Sequence, residues 1–299
     1  MEGRTRLSLY KLLQLWRQLM PNHQDGRLIA RRNELRIMKA LQKFAWLRTR
    51  DLAALVWTHA RSGAVKDNYV PAQVVVPGSA IRMAQRTVRR LRERREIISH
   101  QAPDGSTIHA LSEGGARVLR AKGIPAQSGK NHVRRFSAQQ YHHRRLANEI
   151  AIGALLGGYR VTSDYETASG LWLGGMEGCG GKKPDVLVRS GAAVWWVEVE
   201  RSRRNARDYN RLLEWLRDLW SDRQNIWACA PLPGGHEMRQ VIFLAERPFI
   251  ERLKMDLLRL GWCQELIDHR IVAMLSLYVG EARLLTMETV AGQADSAEK

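Results

Sequence analysis

The chain has little cysteine, no long apolar run and few acids over its first half. Its three cysteines, Cys179, Cys229 and Cys263, are odd in number and show no metal-ligand spacing, which argues against a disulfide framework or a zinc ribbon. They read as reduced thiols of a cytoplasmic protein. No stretch approaches the ~18–20 apolar residues of a membrane-spanning helix, and the first residues carry no secretory leader pattern. Leu7–Met20 is basic and amphipathic, so contact with a membrane surface is a lesser alternative. The loop Ala168–Lys183 holds six glycines without Gly-Lys-Ser/Thr, which excludes the usual phosphate-cradling loop.

Base is what the chain has in excess, and only in one place. Residues 1–136 carry 27 Lys/Arg against 9 Asp/Glu, whereas residues 137–299 carry 21 of each, so the entire net charge of +18 sits in the first half. An excess confined in this way attracts a polyanion and speeds encounter with it. The length suits two domains, each able to bury a core.

The first half reads as a winged helix-turn-helix over residues 31–124, preceded by a basic amphipathic helix within 1–30. Leu35, Met38, Leu41 and Phe44 recur at helical spacing over Glu34–Phe44. Thr49 is a candidate cap for a short helix Arg50–Val56. Ser79 then opens a helix to Arg95, with Ile81, Ala84, Val88 and Leu91 facing inward. Seven arginines lie in Arg82–Arg95 against the single acid Glu93. Ile97–His100 and Thr107–Leu111 around Asp104-Gly105 form a hairpin, and Ser112 caps one more helix. In such a fold the third helix enters the major groove. Arg82, Arg86, Arg89 and Arg90 are therefore the expected DNA contacts, to phosphates first. Residues 125–136 read as a basic linker whose Arg134 and Arg135 can follow the phosphate backbone.

The second half, 137–288, reads as an α/β unit, giving an α+β chain overall, with a disordered tail over 289–299. A helix Ser137–Leu156 precedes a strand Tyr159–Tyr165. Pro184-Asp185 then opens an apolar strand, and a second strand ends in Glu198-Val199-Glu200. If Ser190-Gly191 is the turn, Asp185 faces Trp196, and Asp185, Glu198 and Glu200 share one sheet face. Asp185 and Glu198 are then diagonal neighbours roughly 7–8 Å apart, close enough to converge on one divalent cation. An amphipathic helix Arg203–Trp220, strands Asn225–Ala230 and Gln240–Leu244, a helix Pro248–Gly261 and a strand Ile271–Val279 complete the unit. Glu149 precedes the acids on its helix, although Arg145 stands four residues before it and can simply pair with it.

A helix with Glu149, a strand, Pro184-Asp185, Glu198-x-Glu200 and then an amphipathic helix is the order of the PD-(D/E)XK nuclease core. Together with the winged helix, His143-x-x-Leu146-x-Asn148 and Val197-Glu198-Val199-Glu200-Arg201, it resembles the replication-relaxation family, which includes MobC-type plasmid mobilisation relaxases. The resemblance implies a restriction-endonuclease-like mixed sheet and a DNA-binding protein of a plasmid or mobile element. Such a protein nicks or relaxes DNA at an origin of transfer or replication, with the other proteins of a relaxosome as possible partners. It implies Asp185, Glu198 and the Val199 carbonyl as ligands of Mg²⁺ or Mn²⁺, with Glu149 and Glu200 as further catalytic acids. Glu200 occupies the position where that superfamily commonly has lysine, so Lys182, Lys183 or Arg201 would have to substitute. Asn205-x-x-x-Tyr209 is similar to a Gln-x-x-x-Tyr element of the RecB-like branch. A relaxase that preserves bond energy needs a covalent tyrosine, for which Tyr141 and Tyr209 are the nearby candidates. Two alternatives stay open: a catalytically inactive DNA-binding accessory or regulator, and a hydrolytic restriction or defence nuclease.

Overall fold

The structure, a computed structural model, describes residues 25–58, 69, 74–134, 137–200, 205–220, 229–279 and 282–289. It is a mixed α/β protein in which helices surround a small and a large sheet. The basic segment Leu7–Met20, Arg135, Arg201 and the tail lie outside the described residues.

The first half runs α1 (Gly26–Phe44), β1 (Leu47–Arg48), α2 (Thr49–Trp57), α3 (Gly78–Glu93), β2 (Ile97–Gln101), β3 (Thr107–Leu111) and α4 (Glu113–Arg120). Strand β3 is central, pairing antiparallel with both β1 and β2. Helix α1 starts eight residues before the expected Glu34, capped by the Asp25 carboxylate on the Arg27 N–H. Arg48, one residue earlier than expected, is the cap residue of α2, its backbone N–H and guanidinium both donating to the Asp51 carboxylate. The Thr49 hydroxyl meets His109 instead. Helix α3 buries Ala80, Ala84, Val88 and Leu91, so Arg82, Arg86 and Arg89 project outward. Ser112 caps α4 through the Gly115 N–H, as its sequence suggests.

After α5 (Lys130–Arg134), the second half runs α6 (Ala138–Leu156), β4 (Arg160–Thr162), α7 (Asp164–Ala168), β5 (Val186–Ser190), β6 (Ala193–Glu200) and α8 (Ala206–Leu219). It continues through β7 (Ala230–Leu232), β8 (His236–Ala245), α9 (Arg247–Arg259), α10 (Gln264–Arg270), β9 (Ile271–Val279) and β10 (Ala282–Thr289). The large sheet has the order β10-β9-β8-β6-β5-β4, with β7 paired to β8. Its strands are antiparallel from β4 to β6 and parallel from β6 through β8 to β9. Strand β6 is thus central and covered on both faces. Trp195, Val197 and Val199 join the core that includes α6, while Trp196 meets Trp215 of α8 on the opposite face. The expected strand Tyr159–Tyr165 is cut short because Ser163 and Glu166 form a capping box that opens α7.

The two halves do not stand apart. One apolar cluster contains Ile37, Leu41 and Leu52 of the first and Leu146, Ile150 and Val197 of the second. Trp46 stacks on Tyr141 with ring centroids 5.4 Å apart. Lys43 donates to the Val161 carbonyl and to Glu166. Residues 125–134, expected as a linker, are themselves packed: the Gly129 N–H bonds to the Leu111 carbonyl, and Val133 of α5 is buried. Among the described residues, no helix is long and apolar enough to cross a membrane.

Candidate active site

Strands β5 and β6 meet two residues out of the expected register. Ser190 pairs with Ala193 and Val186 with Val197, so the turn is Gly191-Ala192 and Arg189 faces Val194 instead of Ala192. Gly191 has φ 55° and takes the first central position, where a type II′ hairpin favours glycine. A shift of two residues preserves the face, since side chains alternate. It also leaves Asp185, one residue before the pair Val186–Val197, level with the Glu198 segment. The Asp185 N–H bonds to the Val197 carbonyl at 3.0 Å, and the Asp185 carboxylate accepts from the Val199 N–H at 2.7 Å. Asp185 therefore sits directly beside the Glu198 segment.

Glu198 and Glu200 end the central strand, only 4% and 8% exposed. Burying a carboxylate is costly unless it is hydrogen-bonded or paired. Glu198 has both compensations: Trp196 Nε1 donates to Oε1 at 2.6 Å, and Lys182 Nζ lies 3.8 Å from the same oxygen. Lys182 is presented by a tight turn, Cys179-Gly180-Gly181-Lys182, whose ends exchange backbone bonds. Gly180 and Gly181 have φ 59° and 73°, the left-handed pair that such a turn requires. Trp215 anchors it by donating Nε1 to the Cys179 carbonyl, and the Lys182 ammonium lies 5.1 Å from that ring's centroid. The glycine-rich loop thus serves to hold a lysine at the acids.

Asp185, Lys182, Glu198, Val199 and Glu200 all line one cleft of ≈ 770 Å³. Trp46, His132 of α5, Gln140 and His143 of α6, and Asp208 and Arg211 of α8 are among its other walls. It is therefore built by both halves of the chain. His143 Nε2 lies 3.3 Å from Asp185 Oδ2. Burial acts to lower the pKa of this imidazole, but the Asp185 bond and charge outweigh it and push it up to about 9. The sequence offers His143 only as part of a family signature; its place beside Asp185 comes from the packing of α6 on the sheet. Among the described residues, no three His, Cys, Asp or Glu side chains converge as a metal-binding group.

Several expected site residues lie elsewhere. Glu149 does not line the cleft; its carboxylate accepts from Arg48 Nη2 at 2.7 Å and lies 3.9 Å from Arg145 Nε. Tyr141 lines the cleft, but its hydroxyl bonds to Asp104 and Ser106 at the hairpin tip, and its pKa is raised, chiefly by burial. The Tyr209 hydroxyl donates to Asp256 on α9, away from the acids, and its pKa is likewise raised by burial. Asn205 caps α8 through the Asp208 N–H, which accounts for its place four residues before Tyr209. Lys183 is half-buried and does not line the cleft.

On α3, Arg82, Arg86 and Arg89 are exposed. Arg90 is committed inward: with Arg94 it clamps the buried Glu34 of α1 at 3.0 and 2.8 Å. Those two arginines outweigh desolvation and hold the Glu34 carboxyl below its usual range. Arg134 is exposed beside the hairpin, where it lines a second, smaller pocket of ≈ 470 Å³. No family model, no curated protein and no solved structure matches this chain.

Proposed function

We propose that this chain is a DNA-binding protein that breaks a phosphodiester bond in the cleft between its halves. On this reading residues 26–120 form a winged helix whose α3 approaches the groove, and residues 137–289 form a PD-(D/E)XK-like unit. The order α1, β1, α2, α3, β2, β3 and the three-stranded sheet support the first assignment. Helix α6, strands β4 to β6 and helix α8 follow the element order of the nuclease core. The observation that carries the proposal is the meeting of Asp185, Glu198 and Lys182 at one cleft, from three separate segments.

The donors fit a hard divalent cation. Mg²⁺ and Mn²⁺ favour oxygen ligands, and Mg²⁺ commonly uses one or two carboxylates while keeping water and sharing a substrate phosphate. Asp185 and Glu198 would hold such an ion with the Val199 carbonyl, and a four-ligand zinc cage is not on offer. When bound, the ion supplies charge neutralisation at the phosphate and a water of lowered pKa. Lys182 stands where Glu200 cannot help, bringing positive charge toward the developing phosphorane. Arg82, Arg86 and Arg89 bind the DNA backbone and set the register. With the hydroxyls of Tyr141 and Tyr209 occupied by carboxylates, hydrolysis is favoured over a covalent tyrosine intermediate.

The test uses a supercoiled plasmid carrying a DNA segment that the full chain selects from a random pool, with Mg²⁺ or Mn²⁺ added. Wild type should yield nicked circles, and Asp185→Ala, Glu198→Ala and Lys182→Ala should not. Equal nicking by all four, or by none, refutes catalysis at this cleft. One observation favours a second reading, a DNA-binding accessory protein: Asp185 faces His143 and Glu198 faces Lys182, so the acids already have basic neighbours. Retained DNA binding without nicking under any divalent cation selects that reading.

A further inference from the structure

The carboxylate of Asp185 is held by one oxygen only. The Val199 N–H donates to Oδ2 at 2.7 Å, and His143 Nε2 approaches the same atom at 3.3 Å. Oδ1 has no protein donor among the described residues. The two contacts come from different elements, the hydrogen bond from β6 of the sheet and the His143 approach from α6 packed against it. With one oxygen engaged from both sides, exchange with its twin by rotation about the terminal bond is opposed. The unheld oxygen is then the one offered to the cleft that Asp185 and His143 both line.

We propose that His143 is a positioning residue of the site, fixing Asp185 so that Oδ1 is the oxygen presented to a divalent cation. This rests on the reading of the cleft as metal-dependent. The bond needs only a proton on Nε2, which one neutral tautomer and the charged ring both provide, so the role does not depend on the charge of the ring. Donors behind ligating groups typically change metal affinity by about 10–100-fold when removed. His143 is suited to such a role because α6 is rigidly seated, with Tyr141, Leu146 and Ala147 fully buried around it.

The experiment titrates Mn²⁺ alone into the full-length protein, by calorimetry and by loss of the free-ion paramagnetic resonance signal. Four chains are compared: wild type, Asp185→Asn, His143→Ala and His143→Gln, whose amide N–H can reach the place of Nε2. We expect Asp185→Asn to abolish binding, His143→Ala to weaken it about 10–100-fold, and His143→Gln to restore most of the loss. A residue that merely supported the fold would not show this rescue. If Asp185→Asn abolishes binding but His143→Ala leaves it intact, or His143→Gln is as weak as His143→Ala, the positioning role alone is overturned. If Mn²⁺ does not bind wild type, or binds Asp185→Asn equally well, the metal reading itself falls and takes the role with it.

Discussion

Replacing Glu149 by glutamine separates a structural acid from a catalytic one. In the nuclease-core order this acid belongs near the metal, yet its carboxylate accepts from Arg48 at 2.7 Å, and Arg48 also holds Asp51. Arg48 and Glu149 side chains are 11% and 24% exposed, so the bond is partly shielded from water. Hydrogen bonds between charged groups contribute about 1.5–3 kcal/mol. The exposure of Glu149 and the continued presence of Asp51 place the Glu149→Gln loss at the lower end, about 1.5 kcal/mol. For a chain of this size that lowers the melting midpoint by about 2–3 °C. Thermal unfolding followed by circular dichroism gives the shift, and plasmid nicking well below the midpoint gives the activity. We expect the shift together with nicking within about two-fold of wild type, since no interaction in the transition state is removed. Nicking reduced by about 100-fold or more, the scale of a lost general acid or base, with an unchanged midpoint would refute the assignment.

Two further outcomes follow from the first half of the chain. His109 is 2% exposed between the Thr49 and Ser99 hydroxyls, and burial lowers its pKa to about 4. The folded protein therefore keeps the ring neutral while the unfolded chain takes up a proton near pH 6.5. Stability is complete above that pH and falls as pH drops toward 4, by about 1.4 kcal/mol per unit. Urea unfolding should show the wild type losing about 2 kcal/mol more than His109→Asn between pH 7.5 and 5, whereas parallel losses would exclude a buried neutral imidazole. Separately, each of Arg82→Ala, Arg86→Ala and Arg89→Ala should reduce the slope of log binding constant against log salt by about 0.9. Arg90→Ala should instead lower the melting midpoint by stripping a partner from buried Glu34. Slopes unchanged in all three would remove α3 from the DNA interface.

What could be read from the sequence was periodicity, and what could not was tertiary contact. The β2–β3 hairpin was legible because Asp104-Gly105 supplies a turn, with Gly105 at φ 77°, between two short apolar runs. The inward stripe of α3 was legible because alanine, valine and leucine recur at helical spacing opposite the arginines. For β5 and β6 the face was fixed by alternation but the register was not, because Ser190-Gly191 and Gly191-Ala192 both offer a glycine to the turn. Arg90 looked like its exposed neighbours until the fold brought Glu34 beneath it, 56 residues away in sequence. Glu149 found Arg48 across 101 residues, and no local pattern announces such a pair. Lys182 was one of three basic candidates, distinguished only by the Gly180-Gly181 turn that points it at Glu198. The short helix α7 interrupts a stretch whose apolar residues suit a strand, and only the Ser163–Glu166 capping box marks its start.

The stability cost of the acids themselves distinguishes function from architecture. A carboxylate 4% exposed in the middle strand of a sheet is a poor choice for stability, even with Trp196 Nε1 and Lys182 beside it. Desolvation commonly cancels the attraction of a buried ion pair, and the more deeply buried carboxylate carries most of that cost here. Glu198→Gln keeps an oxygen for the Trp196 N–H and removes only the charge. Lys182 has a second hold, over the Trp215 ring, and at 17% exposure retains some contact with water. If Glu198 is present for chemistry, the glutamine variant should melt at the same temperature or higher, while nicking and Mn²⁺ binding collapse. If it is present for the fold, the variant should lose more than about 1 kcal/mol with no effect on Mn²⁺. The two readings predict opposite signs in the same pair of measurements, so either result decides whether this buried charge was retained for catalysis.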